Sequence, residues 1–342
     1  MKEKPFFGKT DTGKQRQNNE DELISQYIWD DGHILGVAID GVGGYEGGEV
    51  ASEIAKTTIV EYLEKHPNGE RLNLLKQAVV EANNKIVSEA RQTPKLANMS
   101  CVLSACLAEV EKKQINMVHI GDTRVYQFRK GELKKLSSDH SDVGYREDIG
   151  VLTEEEAMNH PRRNEINRLL GEKEHQIDDR DFIEAKTFPL LPNTTLLLCS
   201  DGLTDLVTKA EISAILNTEK SLEEKTEALI KKANDKGGKD NITAVLIDYK
   251  GDEVDNIENI EVIKPLPEKT EQPKPRKKSV FRKVLTLFLA LLLGIMIGFG
   301  IANYISKDTI ADRDERIERL KNVIKEISEM KENDTNNEEN NP

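Results

Sequence analysis

Cysteine is scarce in this 342-residue chain: only Cys101, Cys106 and Cys199 occur, each inside an apolar run. No Cys-x-x-Cys pair is present and the count is odd, which argues against a disulfide framework and against a thiolate zinc site. Buried thiols in a reducing compartment are the expectation. Positive charge is also short. The 49 Lys and Arg face 62 Asp and Glu, a net charge of -13, whereas a nucleic-acid-binding surface needs concentrated Lys and Arg. The opening Met1-Lys2-Glu3-Lys4-Pro5 lacks an apolar signal region, so the main domain is expected to stay in the cytosol. There is no His-x-x-x-His spacing and no internal repeat. What is present is a hydrophobic fraction of 37%, enough for a real core, and 32% charged residues to cover it. The length fits one large domain or two small ones.

Apolar residues three and four apart predict amphipathic helices over 49–65 and 70–91, with further helices near 209–216 and 222–234. Strand-like runs cover 99–109, 114–120, 194–199 and 242–249. The second of these is expected to continue past Gly121 into Arg124-Val125-Tyr126-Gln127-Phe128. The polar stretch 137–164 reads as a surface flap with a short helix near 153–159. Together these segments make one α/β domain over residues 1–250.

Beyond it, 251–283 reads as a charged, proline-bearing linker containing Pro265, Pro267, Pro273 and Pro275. The run from 284 to 302 then carries no charge, and apolar character resumes at Tyr304-Ile305. About 20 residues is the length that crosses a bilayer core, so 284–305 is expected to be a transmembrane helix. Lys274, Arg276, Lys277, Lys278, Arg282 and Lys283 crowd its N-terminal side, which orients that side to the cytosol. The expectation is a single-pass cell-membrane protein with a cytoplasmic main domain and an extracytoplasmic, partly helical tail over 306–342. In that tail Ile317, Leu320, Ile324 and Ile327 keep an a/d spacing. It reads as a solvated amphipathic helix, with weak self-association through two such heptads as the alternative.

The chemistry gathers on acidic turns. Ile39-Asp40-Gly41-Val42-Gly43-Gly44 follows Gly36-Val37-Ala38, so a buried strand is expected to end on Asp40 and break into glycines. Three further segments share that grammar: Arg16-Gln17-Asn18-Asn19-Glu20-Asp21, Ser200-Asp201-Gly202 with Asp205, and Gly237-Gly238-Lys239-Asp240-Asn241. Carboxylates that converge repel one another unless cations neutralise them. With no His or Cys cluster among them, the ions implied are hard ones, Mg²⁺ or Mn²⁺. A pair of such ions can lower the pKa of a water and aim it at phosphorus. Arg16 supplies a planar donor fork of the kind that grips phosphate.

Taken in order from Arg16 to Ile247, these pieces resemble the metal-dependent protein phosphatases of type 2C, the PPM family, and its bacterial members in particular. The resemblance is carried by Arg16 with Glu20-Asp21, by Val37-Ala38-Ile39-Asp40-Gly41-Val42-Gly43-Gly44 with Gly48 and Ala51-Ser52, and by Gly121-Asp122-Thr123-Arg124-Val125-Tyr126. It continues through Asp139-His140-Ser141, Leu152-Thr153 with Glu155-Glu156-Ala157, and His160-Pro161 with Arg163-Asn164. Leu198-Cys199-Ser200-Asp201-Gly202-Leu203 with Asp205, and Asp240-Asn241-Ile242-Thr243, complete it.

The resemblance implies an α+β fold, a four-layer α-β-β-α sandwich with two central antiparallel sheets, that hydrolyses phosphoserine and phosphothreonine on proteins. It implies two Mn²⁺ or Mg²⁺ ions and a third, weaker one. Asp40 would bridge the pair and the Gly41 carbonyl would bind one of them, while Asp201 and Asp240 would hold the other. Glu20 would act through a bound water, Asp21 would hydrogen-bond the attacking water, and Arg16 would bind the substrate phosphate. Asp122 matches the ligand of the third ion, with Asp205 as its helper; a turn or helix-cap role is the alternative for both. His140 and His160 lie in matching motifs without metal-ligand spacing and read as structural, and Glu154-Glu155-Glu156 reads as a helix start. Two positions depart from the pattern. Val42 stands where many eukaryotic members carry a histidine proposed as general acid and bacterial ones usually methionine, so the leaving alkoxide would take its proton from water. Thr123 replaces a more usual serine.

The partners implied are phosphorylated proteins, a Ser/Thr kinase whose work the enzyme reverses, and the membrane, with nucleic acid excluded. A catalytically silent phosphoprotein-binding domain coupled to a membrane tail is the alternative, and the complete carboxylate set counts against it. A two-metal nuclease is a third reading, disfavoured by the acidic balance and the lack of a basic groove.

Overall fold

The computed structural model describes residues 4–42, 47–179, 181–251 and Glu318. Along them run β1 (Phe6–Asp11), β2 (Glu22–Ile28), β3 (Asp30–Val42), α1 (Gly47–Lys65), α2 (Arg71–Gln92), β4 (Ser100–Glu109), β5 (Gln114–Ile120), β6 (Arg124–Arg129) and β7 (Glu132–Lys135). Then come α3 (Asp142–Asp148), α4 (Glu154–Met158), β8 (Glu184–Pro189), β9 (Thr194–Cys199), α5 (Asp201–Thr204), α6 (Lys209–Leu216), α7 (Leu222–Asp235) and β10 (Ile242–Tyr249).

Every residue of β4 is buried, which a strand sustains only when both of its faces are covered. The period of two sorts its side chains. Cys101, Leu103, Ala105 and Leu107 join a core with Ala51, Ala55 and Ile59 of α1 and Leu75, Val79 and Ile86 of α2. Cys106 and Ala108 point the other way, to Val125, Leu196, Leu198, Val245 and Ile247 of a second sheet. That second sheet splits alike: Leu197, Cys199, Ala244 and Leu246 pack with Ile212, Leu229 and Ile230 of α6 and α7. Two antiparallel five-stranded sheets, β2-β3-β4-β5-β8 and β1-β10-β9-β6-β7, therefore share one apolar interface and carry helices on their outer faces. Burial at this density explains why the three cysteines are free thiols, with Cys199 pushed up to about 12 by loss of solvent.

Two expectations about the strands need correcting. The run at 114–120 does not continue into 124–128 as one strand. Gly121 has φ +102, and a Cβ there would lie 2.2 Å from Val102 Cγ1, so the chain turns at the one residue without a side chain. It leaves one sheet as β5 and enters the other as β6, with Asp122 carried across between them. Strand β3 also runs on through Asp40 and Gly41 to Val42, paired with Val102, Cys101 and Ser100, rather than ending at Asp40. β4 supplies ladder partners at those positions, which an apolar-run reading of one strand cannot show.

The chain divides into two units, Met1–Ile257 and Glu258–Pro342. Of the second only the helical, exposed Glu318 is described. The expected linker beyond Gly251, the span 284–305 and the tail lie outside the described residues, as do Gly43 and Gly44. Among the described residues no helix is long and apolar enough to cross a membrane.

Candidate active site

Parity along β3 places its carboxylate. Leu35, Val37 and Ile39 face α1 and α2, while Ile34 and Ala38 face the second sheet, so Asp40 falls on the side between the sheets, at their open end. Gly41 follows because nothing larger fits: a Cβ would lie 2.4 Å from the Gly48 carbonyl oxygen and 2.5 Å from that of Glu20. The backbone oxygens of Glu20 and Gly48 thus stand against Gly41, next to Asp40.

The second sheet contributes from the ends of β9 and β10. Asp201 opens α5 one residue beyond β9, after Ser200, and Asp240 stands two residues before β10. Ser200 is the N-cap of α5, yet its hydroxyl makes no cap bond. It donates instead to Asp21 Oδ2 at 2.8 Å, and Thr243 Oγ1 donates to the same oxygen at 2.7 Å. Asn241 ties the β1–β2 loop to this end of the sheet. Its Oδ1 accepts from Glu20 N at 2.9 Å, and its Nδ2 donates to the Thr12 and Asn18 carbonyls at 3.0 Å. Glu20 and Asp21 are buried by this clamp. Arg16, on the same loop, donates from Nη2 to Asp240 Oδ2 at 2.7 Å while staying about half exposed (47%).

Asp122 and Asp205 sit to one side, where a cavity of about 30 Å³ also touches Asp201 and the flap residues Arg163 and Met158. Asp122 Oδ1 is buried with no hydrogen-bond partner among the described residues. Asp205 pairs with the Arg163 guanidinium and so anchors the flap. The flap holds the expected short helix as α4, started by a capping box between Thr153 and Glu156, and Glu154 accepts from Lys209 N at 2.7 Å. Helix α3 also lies in it and was not expected. Its Glu147, with Asp139, clamps the buried Arg124 guanidinium at 2.7 Å each.

Every carboxylate picked out in the sequence is thus brought to one place, and their charges show it. Asp40 is held well above the ordinary carboxylate range by burial, then by the charges of Asp21, Asp201, Asp122 and Asp240. Asp201 is raised likewise by burial, then by Asp205, Asp122 and Asp240. Burial lifts Asp21 to about 7 against the Thr243 and Ser200 hydrogen bonds, and lifts Asp122 to about 7 with help from Asp139 and Asp205. Asp205 is raised by burial in spite of Arg163. A site that gathers negative charge, leaves a buried carboxylate oxygen unpartnered and offers only oxygen donors fits hard divalent cations.

A family model described as "Protein phosphatase 2C" matches residues 11–246, the stretch that builds this site. The chain belongs to the protein phosphatase 2C family. It is 34% identical over 244 residues to the serine/threonine phosphatase stp of Listeria welshimeri, covering 70% of this chain and 94% of that one. It is also 34% identical over 242 residues to the protein phosphatase PhpP of Streptococcus pneumoniae, with the same coverage. The solved serine/threonine phosphatase PstP/Ppp of Mycobacterium tuberculosis matches with a TM-score of 0.63 and 32% identity, over 72% of this chain and 98% of that one. The catalytic domain of PstP in complex with two manganese ions matches at 0.62 and 31%, over the same shares. This protein is a serine/threonine protein phosphatase that depends on metal.

The roles of Ser200, Thr243 and Asn241 were not legible in the sequence, although all three lie in motifs quoted above. Hydroxyl and amide side chains at strand ends are common. Only the pairing of β9 with β10 and the return of the β1–β2 loop show that they grip Asp21 and Glu20.

Proposed function

We propose that Asp40, the Gly41 carbonyl, Asp201 and Asp240, with Glu20 through a water, hold two Mn²⁺ or Mg²⁺ ions, and that Asp122 and Asp205 hold a third. The substrates are phosphoserine and phosphothreonine on proteins, placed there by a Ser/Thr kinase that this enzyme opposes. One observation supports the reading most: buried and half-buried carboxylates from both sheets and two loops face one another with too few cations of their own to balance them. Bound there, the ions would lower the pKa of a water and position it for attack on phosphorus. The chain's own groups do the rest. Asp21, gripped at Oδ2 by Ser200 and Thr243, has Oδ1 left to accept a hydrogen bond from the water. Arg16 would hold the phosphate oxygens with its remaining N–H groups. Val42 has no proton to give, so solvent would protonate the departing hydroxyl.

The test is phosphothreonine-peptide hydrolysis against Mn²⁺ for wild type and Arg16→Ala. Loss of a charge-assisted contact costs about 1.5–3 kcal/mol, so kcat/KM should fall roughly 10- to 150-fold. Mn²⁺ binding, followed by calorimetry, should be kept or tightened, because Asp240 is released from its 2.7 Å ion pair. An Arg16→Ala protein that cannot bind Mn²⁺ would refute this division of roles.

We also propose that residues 284–305 cross the cell membrane once, with the phosphatase domain cytoplasmic and the tail outside. The support is the uncharged run itself and the six basic residues within ten positions before Val284. Fusions at Pro342 decide it: alkaline phosphatase should be active there and green fluorescent protein dark. A bright, phosphatase-negative C-terminus would put the tail in the cytosol.

A further inference from the structure

We propose that His119, His140 and Glu184 form a second metal site, apart from the carboxylate centre, that takes a borderline transition-metal ion such as Zn²⁺. The three come from distant parts of the chain. His119 and Glu184 are directly opposed across the β5–β8 ladder. His140 is fixed beside them by its backbone, which donates to the Gly121 carbonyl at 2.7 Å and accepts from Asn167 N at 2.7 Å. The two imidazoles lie 5.0 Å apart, inclined by 34°. One ligand atom from each of the three residues lies within 4.8 Å of the others. Donors held by Zn²⁺ at about 2.0–2.2 Å stand roughly 3.4 Å apart, so the side chains need to close by no more than roughly 1.5 Å.

His119 is the deciding residue. It is fully buried, and its Nε2 has no hydrogen-bond partner among the described residues. A buried polar atom left so is costly unless something takes it up. Its Nδ1 lies 2.9 Å from Ser104 Oγ, which lies 2.9 Å from Thr123 Oγ1. Nδ1–H donation along that chain would leave the Nε2 lone pair free, which is how a ligating histidine is usually supported. Burial holds both imidazoles below their usual range, His140 down to about 3, so both are neutral at physiological pH and give up no proton on binding.

His140 and Glu184 have rivals for their lone pairs. Gly121 N–H approaches His140 Nδ1 at 3.1 Å and Arg168 Nη1 approaches Nε2 at 3.2 Å, yet a neutral imidazole has one lone pair to offer. A metal would take that lone pair in place of whichever N–H now claims it. Lys186 pairs with Glu184, and Ser138 N and Oγ each donate to it at 2.9 Å. A divalent ion would replace the positive charge that Arg168 and Lys186 now bring. A cavity of about 430 Å³ lined by Ser138, His140, Arg168 and Glu184 gives it a way in. Two imidazoles and one carboxylate suit Zn²⁺, whereas the all-oxygen centre suits Mg²⁺ or Mn²⁺, so ligand chemistry separates the two sites.

The test uses the full chain in excess Mg²⁺ with one equivalent of Zn²⁺, read by zinc K-edge X-ray absorption and by competition for Zn²⁺ with a chelating dye. Imidazole scattering from two histidines is expected, since none of the carboxylate-centre residues is a histidine. Glu184→Gln should weaken Zn²⁺ at least tenfold, and His119→Gln should lower the number of imidazoles around the zinc while the circular dichroism spectrum is kept. Should His119→Gln fail to fold, Glu184→Gln decides alone. An oxygen-only shell in the wild type, or an affinity unchanged in Glu184→Gln, overturns the proposal.

Discussion

Asp40→Asn and Asp201→Asn should each lose at least about a thousandfold in kcat toward phosphothreonine peptides, roughly 4 kcal/mol of barrier. Each removes one charge from the group that would hold the ions. EDTA should abolish wild-type activity to the same degree. The fold should not suffer. Asp40 is raised well above its ordinary range by burial and by four other carboxylates, so its charge strains the metal-free protein. An amide relieves that strain, and the melting temperature of Asp40→Asn in EDTA should exceed that of wild type by a few degrees. Activity that survives in EDTA, or in both variants, would remove the metal mechanism; a variant that melts earlier would show that Asp40 is structural.

The stability of the metal-free enzyme should fall steeply from pH 5 to pH 8, and Mn²⁺ should reverse the fall. The sign follows from the direction of the shifts. Asp21 and Asp122 rise to about 7, and Asp40, Asp201 and Asp205 rise as well, from an unfolded value of about 4. Groups raised in the folded state stabilise it fully below their unfolded pKa and lose that contribution as pH climbs through the folded one. Each such proton is worth about 1.4 kcal/mol per pH unit between the two values. On the acid side the opposite set acts. Asp139, Glu147 and Glu211 are lowered although burial opposes this in all three: Arg124 holds Asp139 and Glu147, and Lys236 draws Glu211 down to about 2. Their contribution is present above about pH 4 and is lost as pH falls toward their folded values. Melting curves in EDTA should therefore peak near pH 5. The gain on adding Mn²⁺ should be larger at pH 7.5 than at pH 5.5, with protons released on binding at the lower pH. A metal-free melting temperature that is flat from pH 5 to 8 would mean that the carboxylates are not crowded in solution.

Pattern along the chain was enough to place most elements and to single out the acidic turns. Apolar period and strand-length runs located α1, α2, α6, α7, β4, β5, β9 and β10 to within about two residues, because each of these segments buries one stripe or both faces and its pattern records that burial. Acidic turns in a fixed order named Asp40, Asp201, Asp240, Glu20 and Asp21, since carboxylates at strand ends carry their meaning in residue type. Short or half-exposed pieces carried no such record: β7, β8, α3 and α5 bury too few side chains to impose a period. Tertiary structure alone decided which segments meet. It made Gly121 a crossing between sheets instead of a point within a strand, aimed the Ser200 hydroxyl at Asp21 instead of its helix, and set Arg124 beneath the flap. It also stood His119, His140 and Glu184 together, residues whose spacing along the chain says nothing of metal. Local sequence fixes what a residue can donate or accept, but strand pairing over tens of residues fixes which partner stands within 3 Å of it.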